Sequence, residues 1–132
     1  MKMNNATLME LINVLNKFNE CDGKLSYAIH KTKRKMMAEF EDFESVRNQL
    51  ILKYGTEDEN GNYTIQQGTD AYKKYLDEII PVSQDVVDID VYQITQEEFD
   101  NSNYYNEKAT TRDYDVLESL FVKREEPEQD DE

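Results

Sequence analysis

Residues 26–54 read SYAIHKTKRKMMAEFEDFESVRNQLILKY, a run that contains neither Gly nor Pro. Nothing in it interrupts a helix, and Ile29, Met36, Phe43 and Leu50 recur every seven residues, with Phe40, Val46, Arg47 and Tyr54 flanking the same seam. Ser26 offers a capping hydroxyl at the start, and Gly55 supplies the stop. At 1.5 Å per residue this helix spans roughly 40 Å, longer than a short N-terminal helix can cover. Its seam is therefore expected to be buried by several later apolar segments, with a homodimer interface as the alternative use.

Upstream, Thr7 and Glu10 stand in capping-box spacing before Leu8, Leu11, Ile12, Leu15 and Phe18, which predicts an amphipathic helix over residues 8–19. Asp22-Gly23 is a turn signal between the two helices. Downstream, Asn60-Gly61 within EDENGNYTIQ is expected to supply the two positive dihedrals of a tight hairpin turn. Thr69 can cap a third helix bearing Tyr72, Tyr75, Leu76, Ile79 and Ile80 on one face, with Pro81 as its end. Over residues 85–93 the period changes: Val87, Ile89 and Val91 alternate with Asp88, Asp90 and Tyr92, the pattern of an edge strand with one buried face. Thr95 and Glu98 repeat the capping-box spacing around a short helix, residues 101–111 read as polar loop, and Tyr114, Leu117, Leu120 and Phe121 form a last helical face. The fold class is mainly α with a minor β element (α+β): a short N-terminal helix, a long central helix, a small hairpin, two or three further helices and one edge strand. Residues 1–122 are expected to form a single domain and residues 123–132 a disordered acidic tail.

Charge is distributed unevenly along the 132 residues. The formal net charge is −14, yet residues 1–54 carry 9 Lys/Arg against 7 Asp/Glu, while residues 55–132 carry 6 against 22. Such asymmetry speaks to partners more than to fold. Part of it, 2 Lys/Arg against 6 Asp/Glu, falls in residues 123–132. Only the remainder is expected to hold charges at fixed spacing. The one cysteine, Cys21, has no partner for an internal disulfide and no Cys or His cluster to share a metal, which fits a reducing cytoplasm. The N-terminal segment has helical periodicity instead of the apolar block of a signal peptide, and no run approaches the ~20 apolar residues that cross a bilayer. The expected protein is soluble, with no membrane partner.

Catalytic and metal signatures are weak. In TEDENGNYTIQQ, Asp58, Asn60 and Gly61 sit at the third, fifth and sixth positions of a calcium-loop template, but the first and twelfth positions are Thr56 and Gln67, so two needed carboxylates are missing. Asp88 and Asp90, two apart on the expected strand, project from one face, yet no further acid with a Lys or His converges on them to complete a magnesium site. Glu20 and Asp22 flank Cys21 and disfavour its thiolate. His30 has no nucleophile and acid arranged around it. Lys31, Lys33, Arg34 and Lys35 form the one basic cluster, but they spread around the helix instead of making a groove-reading stripe, so direct nucleic-acid binding is not expected. No catalytic residue, metal ligand or cofactor is assigned.

The layout of a short N-terminal amphipathic helix, GKLSYAIHKTKRK (residues 23–35) entering a long charged helix, then LILKYGTEDENGNYTI (50–65) and AYKKYLDEIIPVSQDVVDIDVYQIT (71–95), resembles small uncharacterised proteins of Gram-positive phages and prophages. The resemblance covers residues 5–95 and brings no activity with it; it implies a phage-type accessory protein, a class that includes virion-assembly factors and inhibitors of host proteins. Residues 96–132 are an acidic extension beyond the plainer pattern. A protein acting by binding, not catalysis, follows as the expectation. Duplex DNA presents one charge per ~1.7 Å of axis, and a rigid array of carboxylates competes for the same Lys/Arg groups. The expected partner is thus a host or defence protein with a basic surface, inhibited by nucleic-acid mimicry as an anti-CRISPR-like protein would do it. Candidate contact acids are Asp85, Asp88 and Asp90 on the strand, Glu97, Glu98 and Asp100 on the short helix, and Asp113, Asp115 and Glu118 on the last one; Tyr92, Tyr104 and Tyr105 are the anchoring aromatics. The alternative is a particle assembly or scaffolding factor that uses the long helix as its interaction surface.

Overall fold

The computed structural model describes residues 1–124. It is mainly α with a minor β element, in the order β1 (Lys2–Asn4), α1 (Asn5–Asn16), α2 (Gly23–Tyr54), β2 (Thr56–Glu57), β3 (Tyr63–Thr64), α3 (Asp70–Ser83), β4 (Val86–Asp88), α4 (Gln96–Asp100) and α5 (Thr111–Phe121). Residues 125–132, most of the expected tail, lie outside the described residues. The chain divides into two compact units, both interleaved in sequence: one comprises Met1–Leu11 and Lys35–Ile89, the other Ile12–Arg34 and the chain from Asp90 onward.

In the first unit the strand expected at residues 85–93 exists but is shorter, and it has a partner that the sequence did not announce. β4 pairs antiparallel with β1 in the register Lys2↔Asp88, Met3↔Val87 and Asn4↔Val86. Three residues with one buried side chain, Met3, are too few to show a period of two. β1 leads directly into α1, whose start is also earlier than Thr7: Asn4 Oδ1 accepts the Thr7 N–H at 2.8 Å, so Asn4 caps the helix. Asn5 then ties the end of α3, donating its Nδ2 to Val82 O at 2.9 Å and its backbone N–H to Asp85 O at 3.1 Å. α3 runs two residues beyond Pro81, because a proline in the last turn forfeits only one hydrogen bond; the Gln84 N–H closes the helix on Ile80 O. Its N-cap is Thr69, as the sequence predicts.

The α2 seam in this unit is buried: Met36, Phe40, Phe43 and Leu50 belong to the core. Phe40 and Phe43 meet at 5.5 Å between ring centroids, and the Arg47 guanidinium covers Phe40 at 5.7 Å while reaching Met9 Sδ. Gly55 ends the helix, its N–H returning to Ile51 O. β2 and β3 form the expected hairpin, paired Thr56↔Thr64 and Glu57↔Tyr63. Its turn differs from the expected one: Gly61 alone has positive φ (+80°), and Asp58 organises the loop, its Oδ1 accepting the N–H groups of Asn60 and Asn62.

The second unit buries Ile12, Leu15, Phe18, Leu25, Ala28 and Ile29 together with Ile94, Phe99, Leu117, Leu120 and Phe121. α2 begins at Gly23, three residues before Ser26, because its first turn is capped from a distant part of the chain: Ser102 Oγ accepts the Leu25 N–H at 3.3 Å and donates to Glu98 O at 2.8 Å. Ile94 and Val122 form an isolated parallel bridge, with Ile94 N–H bonded to Phe121 O and Lys123 N–H to Ile94 O, both at 2.8 Å. That bridge fixes Lys123, the first residue of the expected tail.

Candidate interaction surface

Ten of the twelve candidate contact residues fall in the second unit, where two short helices position most of them. α4 starts in the predicted capping box: Thr95 Oγ1 accepts the Glu98 N–H and Glu98 Oε1 accepts the Thr95 N–H at 3.0 Å. That bond to the Thr95 backbone, followed by the fields of Lys24 and Lys123, holds the Glu98 carboxyl below its usual range. α5 opens with a second capping box, Thr110 with Asp113, in a segment the sequence presents as loop. The spacing is visible in the sequence, but Asp in place of Glu, after a polar run, hides it.

Asp113 does not belong to a contact surface. It is 6% exposed, accepts the Thr110 N–H at 2.9 Å and pairs with Lys17 Nζ at 2.8 Å. The Lys17 bond, then the Thr110 N–H, holds its carboxyl below the ordinary carboxylate range. Glu98 is half-buried and committed to its cap. By contrast Glu97, Asp100, Asp115 and Glu118 are exposed on α4 and α5, with Asp100 receiving Gln96 Nε2 at 2.9 Å.

Tyr104 and Tyr105 part company. Tyr104 stacks inward on Phe99 at 4.6 Å and on Tyr114 at 6.0 Å, and Phe18 continues the layer against Tyr114 at 5.6 Å. Burial, reinforced by Asp100 and Glu118, pushes its phenol pKa up. Tyr105 is 79% exposed, yet its loop is held at both ends. Asp22 and Asn103 exchange two hydrogen bonds, at 2.7 and 3.1 Å. Asn106 donates through Nδ2 to Lys17 O, and its backbone N–H and C=O both bond the Tyr114 hydroxyl, which accepts from the one and donates to the other. The tyrosine stands on the rim of a cavity of about 650 Å³ whose walls include Lys17, Cys21, Glu107 and Lys108. Cys21 is no nucleophile there: burial and then Asp22 push its thiol up to about 11, and Sγ donates to Phe18 O. Tyr92 is set apart from these, edge-on to Tyr27 at 5.2 Å.

Asp85 and Asp88 are exposed residues of the first unit, and Asp88 Oδ1 lies 3.0 Å from the Met1 nitrogen. β4 stops at Asp88, so the alternation expected to place Asp88 and Asp90 on one strand face ends before Asp90, which is exposed in the second unit. Among the described residues no group of three or more His, Cys, Asp or Glu side chains is placed to hold a metal ion, and no helix is long and apolar enough to cross a membrane. Comparison with protein-family models, with curated proteins and with solved structures finds no match to this chain.

Proposed function

We propose that this chain is an acidic, phage-type accessory protein that works by protein–protein binding, inhibiting a host or defence protein by occupying its basic nucleic-acid-binding surface. The supporting observation is the set Glu97, Asp100, Asp115 and Glu118, exposed on two helices that are each locked at the start by a closed capping box. Helices capped in this way set the backbone spacing of the carboxylates, so the segments that carry them need no folding when they meet a Lys/Arg surface. Tyr105, exposed on a loop tied at both ends, is the aromatic anchor. Taken by itself, the first unit is also acidic, with 6 Lys/Arg to 13 Asp/Glu, Asp85 and Asp88 among them. The phage assignment rests on the layout of residues 5–95.

Burial of Met36, Phe43 and Leu50 favours this reading over a scaffolding or homodimer contact built on that seam. The deciding experiment is recovery of the target from a host lysate, followed by affinity measurements at rising salt. A nucleic-acid-binding protein is expected, with affinity falling at least about tenfold between about 0.05 and 0.5 M salt and on joint conversion of Glu97, Asp100, Asp115 and Glu118 to amides. Affinity indifferent to both would refute the reading.

A further inference from the structure

The basic side chains of α2 acquire a direction once Lys24 and Tyr27 are considered with them. Lys24 and Lys31 lie one heptad apart, and their ammonium groups approach the same two rings: Lys24 Nζ is 5.4 Å from the centroid of Tyr27 and 5.5 Å from that of Tyr92, and Lys31 Nζ is 5.3 and 5.6 Å from them. Arg34 follows one turn beyond Lys31, its guanidinium against the His30 ring at 2.9 Å. Lys24, Tyr27, Lys31 and Arg34 therefore succeed one another at i, i+3, i+7 and i+10, along one face of the helix. Lys33, engaged with Asn19 Oδ1, is off that face.

The platform is held from below. The Tyr92 N–H donates to Oγ1 of Thr32 at 3.0 Å, and Thr32 is completely buried, so the Tyr92 backbone is fastened to α2. Tyr27 nevertheless keeps 48% of its surface exposed. Glu98, bonded to Thr95 N, acts on Lys24 through its field. Nor is the local charge that of the whole chain: through Arg124 the second unit carries 9 Lys/Arg against 10 Asp/Glu.

We propose that the α2 face formed by Lys24, Tyr27, Lys31 and Arg34, with Tyr92 beside it, binds single-stranded nucleic acid. Cations in line with an exposed aromatic ring are what a flexible strand requires, phosphates going to the cations and an unstacked base to the ring. A cation–π contact at an exposed site is weak, so the Lys31 ammonium moves from ring to phosphate at little cost and uncovers the Tyr27 ring for a base, while Lys24, also bonded to the Tyr92 side chain, stays at the edge of the platform as a second cation. A duplex offers no unstacked base to Tyr27, and an acidic peptide gains nothing from it. This face shares no residue with the exposed acids Glu97, Asp100, Asp115 and Glu118, and its test leaves them unchanged.

The test is fluorescence anisotropy of the full chain with a labelled single strand of about twelve deoxythymidines at about 0.1 M salt, where repulsion from distant carboxylates is screened beyond about 10 Å. Binding is expected, with Tyr27→Ala weakening it at least about fivefold and Tyr27→Phe, which keeps the ring, restoring it to within about twofold. Joint Lys24→Gln and Lys31→Gln should reduce the slope of log affinity against log salt by about 1.4, at about 0.7 for each phosphate no longer neutralised. Circular dichroism confirms that these surface variants stay helical. No binding by the wild type, equal competition by a duplex or by polyglutamate, or indifference to Tyr27→Ala would each overturn the proposal.

Discussion

Ser102 Oγ accepts the backbone N–H of Leu25, so the longest helix in the chain is capped by a hydroxyl 77 residues away in sequence. The same hydroxyl donates to Glu98 O, and Gly23, at φ +71°, brings its backbone so close that an added Cβ would stand 2.7 Å from it. Ser102→Ala should cost about 1 kcal/mol through the orphaned Leu25 donor. Gly23→Ala should cost about 1–2 kcal/mol, combining the left-handed backbone with the clash. Urea unfolding of both variants checks the order.

Asp113 makes stability depend on acid pH. Its carboxyl is held below the ordinary value of 3.8, so its contribution is complete above about pH 4 and is lost as pH falls through the lower folded-state value. Asp113→Asn should lower stability at pH 7 by roughly 1–2 kcal/mol, since it weakens a cap and removes the charge facing Lys17. The gap between variant and wild type should narrow below about pH 4, as read from thermal melts across pH.

Burial of the seam changes what its substitution does. Phe43→Ala should cost about 3–5 kcal/mol by opening a cavity beside Phe40, and Phe43→Glu should abolish folding instead of merely abolishing association. Calorimetry of the first and circular dichroism of the second test this.

Cys21 should react slowly in the folded protein. Raising its thiol from 9.0 to about 11 lowers the thiolate fraction near pH 8 about a hundredfold, so alkylation should accelerate by roughly that factor on denaturation. Equal rates in the two states would contradict the buried setting.

Legibility of the fold followed the length of the signal. The heptad recurrence of Ile29, Met36, Phe43 and Leu50 extends over about six turns, and the Thr95–Glu98 capping box is a local reciprocal bond; both were readable because chain neighbours determine them. β1 was not, because three residues carry no period and its pairing with β4 is settled more than 80 residues away. Ser102 as a cap was invisible for the same reason. Within the candidate surface, sequence distinguished acids from bases but not their duties: Asp113 and Asp115 differ by two positions, and only the helix phase makes one a buried cap and the other a surface charge. Tyr104 and Tyr105 divide likewise.

The alternation of the chain between its two units governs the order in which a nascent chain can mature. Residues 12–34 are made before Ile94, Phe99, Leu117 and Phe121, on which their burial depends, whereas the unit closed by β4 has all of its residues once Ile89 has emerged. Truncation from either end therefore never removes one unit alone. Deleting as little as residues 1–11 strips β1 from one unit and forces the other to begin inside a broken α1.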